Sequence, residues 1–142
     1  MTTEFYTLLS ALSAEFGPTG CECRVAALLE NELSGLCDCS RDRMGSLICH
    51  LPGKGEKLLL VAHMDEAGFM VTDIDDKGYL RIAPTGNADP ACFLGKHLTV
   101  GNETVLLKGI GGGKVLHLTS GAERTDSPSF DKLFIDLGFQ NK

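Results

Sequence analysis

The hydrophobic positions change rhythm about halfway along the chain. Phe5, Leu8, Leu9, Leu12 and Phe16 recur at helical spacing before Gly17-Pro18 breaks the pattern, which predicts an amphipathic helix with one face on a sheet. A second helix is expected to start at Thr19-Gly20-Cys21-Glu22, read as a capping box in which hydroxyl and carboxylate satisfy each other's backbone amides. Val25, Leu28, Leu29 and Leu33 give it one apolar face, and Gly35 ends it. From Cys37 onward the pattern is one of short strands. Leu47 to Leu51 and Lys57 to Ala62 flank Pro52-Gly53-Lys54-Gly55 and read as a hairpin. Within it, Leu58-Leu59-Leu60-Val61 does not alternate, which predicts a central strand covered on both faces.

After His63 the sequence reads as strands without helices. Phe69 to Asp73 and Tyr79 to Ile82 surround an Asp75-Asp76-Lys77-Gly78 turn. His97 to Val100 and Glu103 to Leu107 surround Gly101-Asn102, read as a two-residue loop. Val115 to Leu118 and Leu133 to Leu137 complete the set, with a polar loop from Gly121 to Ser129. The shift from helices plus a central strand to strands alone places a boundary near Val71 to Asp75 and divides the chain into 1–72 and 73–142. Residues after Leu137 contain no closing element, so the last strand is expected to present an open edge.

Composition narrows the function classes. The 142 residues are 43% hydrophobic, with a net charge of −6 and a pI near 5.1, so the chain can build a core and has no basic footprint for nucleic acid. No run approaches bilayer length and the first residues carry no basic leader, which points to the cytoplasm and away from membranes. The six cysteines, Cys21, Cys23, Cys37, Cys39, Cys49 and Cys92, then read as free thiols. The Cys-x-Cys pairs 21/23 and 37/39 are closer than the usual ligand spacing of structural zinc, and small half-buried side chains are the simpler reading.

The chemistry concentrates at Ala62-His63-Met64-Asp65-Glu66, an imidazole and two carboxylates where an apolar strand is expected to end. If the backbone stays extended, His63 and Asp65 point to one side. A neutral imidazole can then bind a cation through one nitrogen while the carboxylate holds the other N–H. His50, His97 and His117 lie in strand-like segments and read as surface or hydrogen-bonded histidines. Gly109-Ile110-Gly111-Gly112-Gly113-Lys114 fits no phosphate-loop spacing and reads as a mobile turn. Asp73, Asp75 and Asp76 lack calcium-loop spacing and read as solvated turn residues.

The whole run from Leu58 to Val71 resembles the signature of the glutamyl and tetrahedral (TET) aminopeptidases, dinuclear metallopeptidases some of whose members carry a CelM-type endoglucanase name. Gly17 to Glu22, Asp42 to Ile48, Asp89-Pro90, Gly109-Ile110-Gly111, Lys114 to Leu118 and Leu133 to Gly138 resemble the same family in the same order. Ser46, where the family has Asn, and Thr85-Gly86-Asn87-Ala88, in place of a Gly-Gly stretch, depart from it.

The resemblance implies an α/β fold. Residues 1–72 would be the N-terminal part of a phosphorylase/hydrolase-like three-layer catalytic domain, and 73–142 an inserted all-β barrel-like dimerisation domain, both incomplete. It implies a homo-oligomer acting on peptides, with His63 as a ligand of one metal and Asp65 as the catalytic carboxylate that orients it. Two divalent ions, zinc or cobalt, would polarise the carbonyl and activate a water whose proton a Glu accepts. That Glu is not Glu66, and the remaining ligands are expected beyond Lys142. The isolated chain is accordingly expected to be inactive. A non-catalytic β-barrel assembly module is the alternative, and a cysteine-based zinc protein a third reading.

Overall fold

The computed structural model describes residues 3–114 and 129–142. It forms two compact units, Met1–Glu66 and Ala67–Lys142. The first holds α1 (Thr3–Ala14), α2 (Cys23–Glu32) and an antiparallel pair, β1 (Asp38–Arg41) and β2 (Leu47–His50). The second holds β3 (Gly68–Ile74), β4 (Leu80–Thr85), β5 (His97–Gly101), β6 (Leu106–Gly113) and β7 (Leu133–Asp136) in one sheet of order β3-β4-β7-β6-β5, with every neighbouring pair antiparallel. The division falls between Glu66 and Ala67, so β3 lies whole in the second unit. No helix among the described residues is long and apolar enough to cross a membrane.

Both expected helices form, but among the described residues of the first unit only Val25 and Ala26 are buried apolar residues. No residue of α1 is buried, and Phe5 and Leu9 of its apolar face are about half exposed, so the expected packing of that face on a sheet is not made among the described residues. The capping box does not form either. Glu22 occupies the N-cap without a side-chain cap bond, and its carboxylate instead accepts from the Gly20 amide at 2.7 Å. The Thr19 hydroxyl is engaged elsewhere. At the other end Gly35, with φ +78°, turns the chain away from the helix in a conformation that suits glycine.

The hairpin forms with a different partner from the one expected. β2 pairs with β1, with Cys39 opposite Cys49 and Arg41 opposite Leu47. The Asp42 carboxylate builds the turn by accepting from the amides of Met44 at 2.8 Å and Ser46 at 2.9 Å, while Gly45 supplies the positive φ of +92°. Arg41 grips Glu30 with two nitrogens, at 2.8 and 2.6 Å, and so ties β1 to α2. Residues 57–62 join no ladder, and Leu58, Leu59, Leu60 and Val61 are 83 to 85% exposed. A strand apolar on both faces is stable only between covering layers, and none of the described elements supplies them.

The second unit has the better core. Leu80, Ile82, Phe93, Leu133 and Ile135 are buried, with Phe69, Leu98, Val100, Phe130 and Leu137 packed around them. The Phe69 ring meets Phe93 edge-on at 5.1 Å and Phe130 at 5.3 Å. The β3–β4 hairpin forms as read: Asp75 Oδ1 accepts from the amides of Lys77 and Tyr79 at 3.0 Å each, and Gly78 closes the turn at φ +83°. In the β5–β6 hairpin the loop is longer than expected. Gly101 pairs with Leu106, leaving four residues between them, and Asn102 Oδ1 accepts from the Thr104 and Val105 amides at 2.9 Å each. Asn102 therefore acts through its carboxamide and not through a positive φ, which no described residue except glycine adopts.

Two further expectations are corrected here. The run from Gly109 to Gly113 is strand, not a mobile turn. A Cβ on Gly111 would strike the Phe93 carbonyl and ring, and one on Gly109 would lie 2.7 Å from Ile135 Cγ2, so the glycines admit close neighbours. β7 is not an open edge: it lies between β4 and β6, and the sheet ends on β3 and β5. The expected strand Val115 to Leu118 and the loop from Gly121 fall on residues 115–128, outside the described residues.

Candidate functional site

Gly17 and Pro18 dock on the residues that follow His63. The Glu66 amide donates to the Gly17 carbonyl at 2.9 Å, and Pro18 forms an isolated parallel bridge with Glu66. The approach requires glycine at 17, where a Cβ would lie 2.6 Å from Val25 Cγ2. This register sets Thr19 beside Asp65, and the Thr19 hydroxyl donates to Asp65 Oδ2 at 2.7 Å. The same carboxylate meets His63 through its other oxygen, with Nδ1 3.2 Å from Oδ1 and 2.9 Å from the Asp65 carbonyl.

The chain Thr19–Asp65–His63 has a direction. Both partners of His63 Nδ1 are acceptors, so Nδ1 carries the proton, and the neutral ring presents its lone pair at Nε2. Nε2 makes no hydrogen bond among the described residues, and the His63 side chain is 85% exposed. The Thr19 hydroxyl, ahead of the nearby His63, holds the Asp65 carboxyl below the usual carboxylate range against a smaller desolvation. The carboxylate is thus kept ionised, the state in which it accepts from both sides. This is how a protein prepares an imidazole to bind a cation, with the tautomer fixed and the basicity raised from behind.

The structure brings His63 and Asp65 together and adds Thr19, which the sequence pattern had assigned to a helix cap. With Thr19 and Asp65 separated by 46 positions in sequence, no local signal pairs them. Glu66 contributes its backbone to the docking and its side chain is exposed. His50 and His97 lie in β2 and β5, and His117 lies outside the described residues. Asp75 is a turn residue, as read, and also pairs with Arg81 at 2.9 Å. Desolvation raises the Asp75 carboxyl, but the Tyr79 and Lys77 amides and Arg81 together bring it below its ordinary value.

Among the described residues no group of three potential metal donors includes His63. The residues therefore fit one protein ligand of a metal centre and not a complete donor set, since a zinc ion takes about four. The cysteines distribute unevenly. Sγ of Cys39 lies 3.7 Å from that of Cys37 and 3.3 Å from that of Cys49, whereas Cys21 and Cys23 belong to no such group.

A histidine oriented by a carboxylate, with its outer nitrogen making no hydrogen bond among the described residues, has the arrangement of a protein metal ligand. The M42 glutamyl aminopeptidase family matches residues 45–142, and the chain belongs to that family. It is similar to the FrvX protein of Escherichia coli, 32% identical over 137 residues that cover 95% of this chain and 38% of the relative. It is also similar to the lysyl aminopeptidase of Pyrococcus furiosus, 30% identical over 102 residues that cover 71% of this chain and 30% of the relative. Among solved structures, the TET aminopeptidase of the archaeon Thaumarchaeota archaeon SCGC AB-539-E09 superposes with a TM-score of 0.90 at 27% identity, covering 99% of this chain and 40% of that one. The TET1 peptidase of Pyrococcus horikoshii, described as assembling into a tetrahedron or a large octahedral shell, gives a TM-score of 0.85 at 31% identity, covering 96% and 41%. The chain spans 28 to 40% of the length of the curated relatives it matches first.

Proposed function

We propose that this chain is the N-terminal portion of a metal-dependent aminopeptidase, in which His63 supplies one metal ligand through Nε2 and Asp65 orients it. The hydrogen-bonded series Thr19–Asp65–His63 supports this reading most directly. In the complete protein two divalent ions, zinc or cobalt, would polarise the scissile carbonyl and acidify a water. Within this chain Thr19 fixes the Asp65 carboxylate, Asp65 fixes the Nδ1–H tautomer of His63, and the Gly17–Glu66 backbone bond fixes the loop that carries both.

The first unit is then part of a three-layer catalytic domain whose remaining layers would cover Leu58 to Val61. The second unit is part of an inserted barrel-like domain used in assembly. Peptides are the substrate, the assembly is a homo-oligomer, and the location is the cytoplasm. The isolated 142-residue chain lacks enough donors to hold a co-catalytic pair and is inactive.

The test compares two proteins on short peptides with added zinc or cobalt. The product of the complete reading frame is expected to release N-terminal residues, and the 142-residue chain to release none. Hydrolysis by the 142-residue chain that disappears in His63→Ala would overturn the claim of inactivity. An inactive complete product would overturn the aminopeptidase reading.

A further inference from the structure

The β1–β2 hairpin and the bend that leads into it gather three sulfurs. Cys37, at a bend immediately before β1, brings its sulfur to 3.7 Å from that of Cys39. Antiparallel pairing puts Cys49 directly opposite Cys39. The sulfur atoms all lie within 4.8 Å of one another, with two separations of 3.3 and 3.7 Å. Two thiolates on one zinc ion, at about 2.3 Å each and near the tetrahedral angle, stand about 3.8 Å apart. The separations of 3.7 and 3.3 Å lie within about half an ångström of that.

We propose that Cys37, Cys39 and Cys49 form a three-thiolate site for a thiophilic d10 cation, zinc(II) or copper(I), at the β1–β2 hairpin. Soft sulfur donors select such ions, and three thiolates leave a position for a water or an exogenous ligand. Binding replaces each thiol proton with a share of the cation, so up to three protons go to solvent as the site fills.

The surroundings disfavour nucleophilic thiol chemistry. Without a cation, the Cys39 sulfur, burial and the other sulfurs push the Cys49 thiol up to about 11. Burial first, and then Cys39, raise Cys37 as well. Reactive cysteines require the opposite shift, because the thiolate is the nucleophile. A disulfide between Cys39 and Cys49 would use only two of the three sulfurs and leave Cys37 without a purpose. A cation uses all three sulfurs. It also fastens the segment after α2 to both strands of the hairpin, which Arg41 and Glu30 otherwise hold from α2.

The experiment titrates the reduced 142-residue chain with zinc(II) or cadmium(II) alone, reading bound metal by native mass spectrometry and thiolate-to-cadmium charge transfer in the near ultraviolet. The His63→Ala chain is expected to retain one equivalent with the charge-transfer band. Cys39→Ser should lose both, Cys37→Ser and Cys49→Ser should bind at least tenfold more weakly, and Cys92→Ser should match the parent. Reduced parent chain that takes up no thiol-bound metal would overturn the site, as would metal uptake that survives Cys39→Ser. So would quantitative Cys39–Cys49 disulfide formation in glutathione buffer with zinc present. Because His63→Ala serves as the background, loss of His63-dependent metal leaves this result intact, and the two readings fail separately.

Discussion

Thr19, Asp65 and His63 are joined by hydrogen bonds whose polarity runs toward the free Nε2 of the imidazole. Removing the hydroxyl should therefore be felt at the far end. In Thr19→Val the Asp65 carboxyl loses its strongest stabilising bond, and its pKa should rise toward the ordinary range, read by carbon NMR titration of the side-chain carboxyl. The sign for stability follows. A depressed carboxyl stabilises the fold at pH above its unfolded-state pKa, and that contribution fades as pH falls through the lower folded-state value. In Thr19→Val that contribution should be smaller and should be exhausted at a higher pH, seen in the pH dependence of urea midpoints. In the protein encoded by the complete reading frame, Asp65→Ala should weaken metal binding by roughly 10- to 100-fold, the usual effect of removing such a partner. The His63–Asp65 pair was legible because alternation alone sets i and i+2 on one side. Thr19 was not, because its partner comes from docking of Gly17-Pro18 against Glu66.

At the scale of elements, the glycines of β6 carry a definite steric role. Gly111 lies against the Phe93 carbonyl and ring, so Gly111→Ala should cost about 1–3 kcal/mol by overpacking. Gly53→Ala, where the added methyl meets nothing within 4 Å, serves as its control, with both measured by urea denaturation. The β3–β4 hairpin was readable because Asp75 and Gly78 each perform the turn chemistry their residue types suggest. The β1–β2 hairpin was misassigned. Pro52 to Gly55 looked the stronger turn, while Asp42 and Gly45 made the real one. The β5–β6 loop differed for a related reason: Asn102 is used for its side-chain acceptor, which lengthens the loop and moves the register. In β6 the glycines suggested mobility, whereas tight contact with an aromatic core explains them equally well, and only the partner's position decides.

The whole molecule is uneven. The second unit has an aromatic and aliphatic core, while in the first Leu58 to Val61 stand exposed with no partner strand among the described residues. The lack of alternation in that run was read as a central strand covered on both faces, whereas among the described residues it is exposed and joins no ladder, because a local pattern does not specify which segments provide cover. An apolar strip of this kind should bind a hydrophobic dye and promote self-association of the isolated chain. The double substitution Leu58→Lys with Leu60→Lys should reduce both, by dye fluorescence and light scattering, without changing the unfolding midpoint of the second unit. The same strip leads directly to His63 along the chain.

The central claim is that His63 is a metal ligand, and metal content tests it most directly. The product of the complete reading frame, its His63→Ala variant and a His97→Ala control would be purified with zinc and analysed by inductively coupled plasma mass spectrometry after dialysis. The account predicts that His63→Ala loses about one equivalent of zinc, the count for one emptied single-metal site, along with peptide hydrolysis, while His97→Ala matches the parent. Full metal content and undiminished hydrolysis in His63→Ala would contradict it.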